Sequence, residues 1–591
     1  VERLQEQQRA LEYRAALPNK LLLDVEVEPP GGGATVLDFA KELRKEAWSW
    51  LEAEVRQGTS DKDLGVLVDE QAWEQQLQAI NQGDFLEFFA ACSDEISEQS
   101  GLSSQIAKAQ ARLEESKALR AFLPASWSRS GRRKSYLDTG RDSVLRQSES
   151  REEREWNTTE LRAQLGLSDG EQLDAIGLAR RMAVFRQGGS SGSLRRQGEL
   201  PTLPFPPISR VAAEPWLRGR GRELGSLRGA LHNALESDNE SDRALFWSVS
   251  SPSWDSWEAG KALFPFDASI LFEGGLDSAE QTLDHAGRRN ADAWTKICDA
   301  VLELHKSGPP PLPYYALLTF DGDGVGKSLK ELTRKDPKFL DEAYGKLDVF
   351  VDTAAARFAG PEVRGCMFYV GGDEGTGYLP LDRLPQAVRA LQESYQPVQR
   401  YFKDRGAAHG GEPLHTTLSI GVVVAHYKDN LRDVRDAAGA ALEAAKRART
   451  MEVGPTPPGM VCIRMRARGG SDRDVVAPAE EWVERTSPWM SHLEAGELGL
   501  TLVHAMLEER GAWPKHGSET DAVFDAYFRA KRSFERSGRS GAPLLNALKK
   551  CRTWREVEGL AAELILAQWM WRSAQQNPQQ LEENEVSHAN S

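Results

Sequence analysis

Two short acidic runs near the middle of the chain have the make-up of a divalent-metal site. Asp321-Gly-Asp-Gly-Val-Gly-Lys327 follows the apolar run YYALLTF (314–320), and Gly371-Gly-Asp-Glu-Gly375 follows CMFYV (366–370). Each places carboxylates where a buried strand meets a glycine turn. On neighbouring strands, Asp321 and Asp373, with Glu374 beside them, could hold Mg²⁺ or Mn²⁺ through oxygen ligands and leave positions open for phosphate oxygens. Paired metals so held activate an attacking hydroxyl and steady a leaving pyrophosphate. The chemistry implied is nucleotidyl transfer. Gly322, Gly324, Gly371 and Gly372 would let the backbone turn sharply and approach a triphosphate with no Cβ in the way.

The segment from Gly324 through Gly326 to Lys327 offers backbone amides to phosphate. It is not a P-loop: counting back from Gly326, position 321 is Asp where that motif needs Gly. Lys446, late in a helix read over 431–449, could face the triphosphate, although lysine there also simply suits the helix dipole.

Taken alone, DGD or GGDE is as readily a β-turn with solvated carboxylates. The elements around them argue otherwise. A third strand is read at 416–424 (TTLSIGVVV), followed by the helix ending in Ala444-Ala-Lys-Arg-Ala448. Strand with acids, helix, strand–GGDE–strand, helix, strand, helix is the order of a split β-α-β palm.

The wider chain is that of a globular protein: 591 residues, 40% hydrophobic and 28% charged. Its longest apolar runs are strand-sized, so no membrane span is expected, and the polar first residues do not read as a secretory leader. The cysteines at 92, 298, 366, 462 and 551 are scattered without C-x-x-C spacing. This argues against a zinc ribbon or a disulfide framework and fits a reducing cytoplasm. A net charge of −15 argues against wrapping nucleic acid by bulk electrostatics. Local basic stretches at 129–134, 446–449 and 464–468 leave room for local contact, or are solvated loop and helix end.

Along the chain, an amphipathic helix is expected over 1–17 and a strand over 20–27. Helices dominate 35–123, a polar, exposed or irregular connection covers 128–158, a helix covers 174–184, and a Gly/Ser-rich stretch covers 186–198. The Pro-rich run at 308–313 opens the acidic block, 472–571 reads as helical, and the Gln/Glu/Asn-rich 573–591 reads as a disordered tail.

The residues of the block 309–470 resemble both a GGDEF-type diguanylate cyclase and the large palm-containing subunit of type III CRISPR effector complexes. Further segments decide between them. LPNKLLLDVEVE (17–28), KSYLDTGRDSVL (134–145), EQLDAIGLARRM (171–182), FPPISRVAAEPWLRG (205–219), ALLTFDGDGVGKSL (316–329), VGGDEGTGYLPLDRL (370–384) and LSIGVVVAHYKDNLRDVRDAA (418–438) resemble, in this order, the Cmr-class large subunit. A diguanylate cyclase would follow GGDE with Phe, where this chain has Gly375.

The resemblance implies an α+β chain with two ferredoxin-like palm domains, a small domain between them and a C-terminal helical bundle. The division is 1–127 and 186–308 for the first palm, 128–185 for the small domain, 309–470 for the catalytic palm, and 471–572 for the bundle. It implies an enzyme that, in a complex with other CRISPR subunits, crRNA and target RNA, converts ATP into a cyclic oligoadenylate second messenger. In that reading Asp321 and Asp373 are metal ligands, assisted by Asp323 and Glu374.

There are departures from the family. It usually has Asp where this chain has Glu374. Its small domain often binds zinc through cysteines, and 134–141 has none, so no zinc is expected. No histidine precedes His232, so the HD nuclease pair of many members is not among these residues. The alternatives are transfer of AMP to another acceptor such as S-adenosylmethionine, and an inactive structural palm. Against the second, carboxylates at two buried strand ends are costly unless they bind something.

Overall fold

The computed structural model describes residues 67–82, 102–119, 131–146, 171–186, 206–218, 223–236, 267–285, 292–335, 338–408, 413–451, 457–466, 472–498, 519–537 and 541–576, with short pieces around 38–53, 89–93 and residue 220. At its centre is one six-stranded sheet: β1 (Tyr314–Asp323), β2 (Cys366–Gly371), β3 (Glu374–Pro380), β4 (Thr417–His426), β5 (Met460–Met465) and β6 (Arg473–Pro478). Their order is β2-β3-β1-β4-β5-β6, and only β4–β5 is parallel. The chain is therefore α+β, as its sequence implies.

Ahead of the sheet lie α1 (Glu70–Gln82), α2 (Leu102–Ala118), α3 (Ala175–Arg186), α4 (Ile208–Arg218), α5 (Gly225–Glu236), α6 (Gly275–His285) and α7 (Asp292–Lys306). Between strands run α8 (Val325–Lys335), α9 (Lys338–Ala359), α10 (Leu384–Ala408) and α11 (Leu431–Met451). After β6 come α12 (Ala479–Glu494), α13 (Glu519–Ser537), α14 (Ala542–Leu548) and α15 (Trp554–Ala574).

The apolar runs of β1 and β4 are nearly unbroken because both faces of the sheet are covered. Side chains alternate across a strand. Ala316, Leu318 and Phe320 with Ile420, Val422 and Val424 face a core built from α9, α10 and the C-terminal helices. Tyr315 and Leu317 with Val423 and Ala425 face α4, α5, α7 and part of α11, through Val211, Trp216, Leu227, Ile297 and Ala438. Buried on both sides, such strands lose the polar alternation of a half-exposed sheet.

Several expectations change. Residues 473–478, read as helical, form edge strand β6 against β5. Only Val475 and Ala477 of that strand are buried among charged neighbours, too short an alternation to stand out. The stretch 135–145, read as exposed or irregular, is irregular, with 136–140 exposed but Ser135 and 142–145 buried. Val144 and Leu145 are fully buried in one core with Leu67, Trp73, Leu77, Leu173 and Ile176. Its low apolar content misleads because its buried groups are polar and mutually bonded: Ser135 donates to Asp174 at 2.8 Å, and Gln76 donates to the Asp142 carbonyl at 2.6 Å. This core joins residues 67–77 to 144–145 and 173–179. Finally, 573–576 are pinned: the Leu312 amide donates to the Gln576 side chain at 3.1 Å, and Arg220 donates to the Gln576 carbonyl at 2.9 Å. The expected helix at 1–17 and the strand at 20–27 lie outside the described residues, as do 577–591 and 187–205.

Candidate active site

Strand pleat and helix spacing assemble the site. In β1, Asp321 and Asp323 lie two residues apart and so share one face, with Ser419 and Thr417 opposite them on β4. The same face receives α11. Gly421 of β4 makes this possible: a Cβ there would lie 2.2 Å from the Leu442 amide nitrogen, so only glycine admits the helix so close. Lys446 and Arg449, three residues apart, then face the acids together.

Lys446 Nζ lies 2.8 Å from Asp321 Oδ2, with both side chains about 30% exposed. Arg449 Nε donates to the Thr417 hydroxyl at 2.6 Å and lies 3.4 Å from Asp323 Oδ2. Thr417 and Ser419 each donate to Asp323 Oδ2 at 2.8 Å. Asp323 is buried, and burial raises its pKa despite these donors. Asp323 thus ties β1 to β4 and to Arg449, while Asp321 is the more open of the pair.

The β2–β3 hairpin presents the second acid. Glu374 pairs across the strands with Asp321, and the Gly322 amide donates to the Asp373 carbonyl at 2.9 Å. A Cβ on Gly322 would fall 2.7 Å from Asp373 Cβ and 2.8 Å from its Oδ2, so glycine lets the two acidic turns meet. Gly372, at φ +62°, forms the hairpin turn, and Gly324, at φ +75°, turns β1 into α8. Gly371 ends β2. Gly326 is different: nothing lies within 4 Å of a Cβ built there.

The pKa of Asp373 is pushed up to about 6, first by burial and then by the neighbouring charge of Asp321. Glu374 is exposed and accepts a hydrogen bond from the Tyr369 hydroxyl. Burial, then Glu374, pushes that phenol up to about 12. Burial lowers the basicity of Lys446, but its bond to Asp321 and the charges of Asp321, Glu443 and Asp323 together outweigh it, so its pKa is raised.

These residues fit a divalent cation. Two carboxylates converge, and Asp373 carries a repulsion that positive charge would relieve. Among the described residues no three His, Cys, Asp or Glu side chains close into a metal cage. Mg²⁺ commonly takes only one or two carboxylates and completes its shell with water and substrate phosphate. Beside the acids, α8 opens with the amides of Val325, Gly326 and Lys327, three of the first four N–H groups that a helix leaves without an internal partner. Lys327 itself is exposed.

Thr417, Ser419, Arg449 and Tyr369 were not singled out from sequence. The signal for Arg449 was its three-residue offset from Lys446, and for Thr417 and Ser419 their alternation in TTLSI.

A sheet with acids at two adjacent strand ends and a cationic helix across one face defines a palm of the nucleotidyl-cyclase kind. Residues 314–452 match the family described as Cas10/Cmr2, second palm domain. The CRISPR system Cmr subunit Cmr2 of Pyrococcus furiosus is 28% identical over 287 residues, which are 44% of this chain and 30% of that protein. This chain thus matches under a third of that relative's length. A chain of the apo type III-B Cmr-beta structure superposes with a TM-score of 0.52 at 12% identity, over 93% of this chain and 69% of that one. It shares the fold. No described helix is long and apolar enough to cross a membrane.

Proposed function

We propose that this chain is the nucleotidyl-transfer subunit of a crRNA-guided type III CRISPR complex and that, when target RNA is bound, it joins ATP into a cyclic oligoadenylate second messenger. The observation that carries the reading is the meeting of Asp321 and Asp373 beside a helix N-terminus and the Lys446 ammonium. The Cmr2 likeness supports partner subunits, crRNA and target RNA around it.

In this reading Asp321 and Asp373 hold the divalent cations, with Glu374 close by on the hairpin. Such ions would lower the pKa of the attacking hydroxyl and offset charge on the departing pyrophosphate. The chain's own groups bind and orient. The first-turn amides of α8 and the Lys446 ammonium receive triphosphate oxygens, and Asp323, fixed by Thr417, Ser419 and Arg449, keeps β1 in register under them. A ribose hydroxyl oxygen of one ATP forms a bond to the α-phosphorus of another. The bond to pyrophosphate breaks, and the hydroxyl proton passes to solvent.

The test is incorporation of labelled ATP by the assembled complex with target RNA and Mg²⁺ or Mn²⁺. Asp373→Ala should abolish product and leave assembly intact. Equal product from the variant would overturn the assignment.

A further inference from the structure

The hairpin that carries Asp373 at its closed end is bonded on both sides of its open end by one helix of the N-terminal half, α4. Arg364, two residues before β2, donates to Glu214 at 3.3 Å. Asp382, two residues past β3, accepts from Arg218 Nη2 at 2.7 Å. Glu214 and Arg218 are one turn apart on α4 and lie 3.8 Å from each other. Arg210, a turn earlier on the same helix, also bonds Glu214. Between the two ends, the Tyr378 hydroxyl of β3 donates to the Pro206 carbonyl at 2.7 Å, just ahead of α4.

These contacts are dry. The side chains of Glu214, Arg218 and Asp382 are 3%, 6% and 4% exposed. Charge pairs so buried feel little solvent screening, so they hold geometry more firmly than surface pairs do. The strands between grip and tip are short and paired throughout, from Cys366↔Tyr378 to Gly371↔Glu374, with one irregularity between Met367 and Tyr369. The gripping residues flank the end of the β2–β3 pairing opposite Asp373. Their position couples them to the hairpin as a whole.

We propose that Glu214 and Arg218 are positioning residues for Asp373: a shift of the N-terminal half moves α4, α4 moves the open end of the hairpin, and the hairpin tip changes the alignment of Asp373 with Asp321. This rests on the nucleotidyl-transfer reading and supplies a route by which events at the N-terminal half reach the site.

The test uses the assembled complex. Arg218→Met with Asp382→Leu removes the pair and leaves Glu214 its partners Arg210 and Arg364, while Arg383→Met added to it removes the cation that Asp382 also held at 3.3 Å; Arg218→Lys keeps the charge but replaces the planar guanidinium by a shorter point charge. The double variant should assemble normally. Its kcat should fall tenfold or more with the KM for ATP within twofold, and amide hydrogen exchange at 371–375 should rise about tenfold. Arg218→Lys should fall between it and wild type in both readouts. Unchanged exchange and kcat in the double variant would overturn the inference, as would a loss confined to KM. A wild-type complex that makes no product would strike the nucleotidyl-transfer reading instead, and exchange at 371–375 would still decide the coupling.

Discussion

Lys446 Nζ rests 2.8 Å from Asp321 Oδ2, so one of the two acids already has a positive partner while Asp373, raised to about pKa 6, has none of comparable strength. The asymmetry divides the labour. Asp321 is held ready by a side chain that can move to phosphate, and Asp373 carries the unrelieved charge.

That charge has a stability signature. A carboxylate whose folded pKa lies above its unfolded value binds more protons when folded, so it favours the fold only at low pH. Its contribution declines as pH rises from about 4 to about 6 and is a net cost above that. Asp373→Asn should therefore stabilise the metal-free protein at pH 7.5, by on the order of 1 kcal/mol, and lose that advantage near pH 4. Thermal unfolding in chelator at the two pH values measures it. A variant no more stable at pH 7.5 than wild type would contradict the assignment.

Asp323→Ala should act differently. It strips a shared acceptor from Thr417, Ser419 and Arg449, leaving buried donors without a partner at about 1–3 kcal/mol. Denaturant unfolding should show lower stability. Asp323→Asn, which keeps an acceptor oxygen, should recover part of the loss.

Glu374 is exposed and engaged by Tyr369, so shortening it to Asp should be tolerated. Glu374→Asp is expected to incorporate ATP at wild-type rate or above. Complete loss would mean that the longer side chain is needed at the metal.

The region around 134–145 and 171–178 offers a test by metal removal. Its core is Leu67, Trp73, Val144 and Leu173, and its polar groups bond one another, with Lys134 Nζ 2.6 Å from Asp142. The melting temperature at neutral pH should not move on treatment with a zinc chelator, and elemental analysis should find no stoichiometric zinc. Either result reversed would point to ligands outside these residues.

What could be read from the sequence follows physical scale. YYALLTF and TTLSIGVVV are long and apolar, and the first runs straight into Asp321-Gly-Asp323, so β1, its acids and β4 were visible. The β5 segment MVCIRM passed unremarked because it is six residues long, and its role depends on parallel pairing with β4. The partners of Asp323 come from 94 and 96 residues away, a distance no local pattern spans. Asp142 and Ser135 misled for the opposite reason, since polar residues read as surface until their partners are known.

The two-sided burial of the sheet bears on folding autonomy. Leu317 and Val423 need the helices ahead of the sheet, and Leu318 and Val422 pack in a core that the helices after it complete. A fragment cut to 314–452 would present part of each inner face to water, apolar surface of the kind that drives association. The segment bearing every proposed catalytic group is thus unsuited to be transplanted or assayed alone. Its chemistry is inseparable, as a matter of solubility, from the flanking sequence that covers the two faces of its sheet.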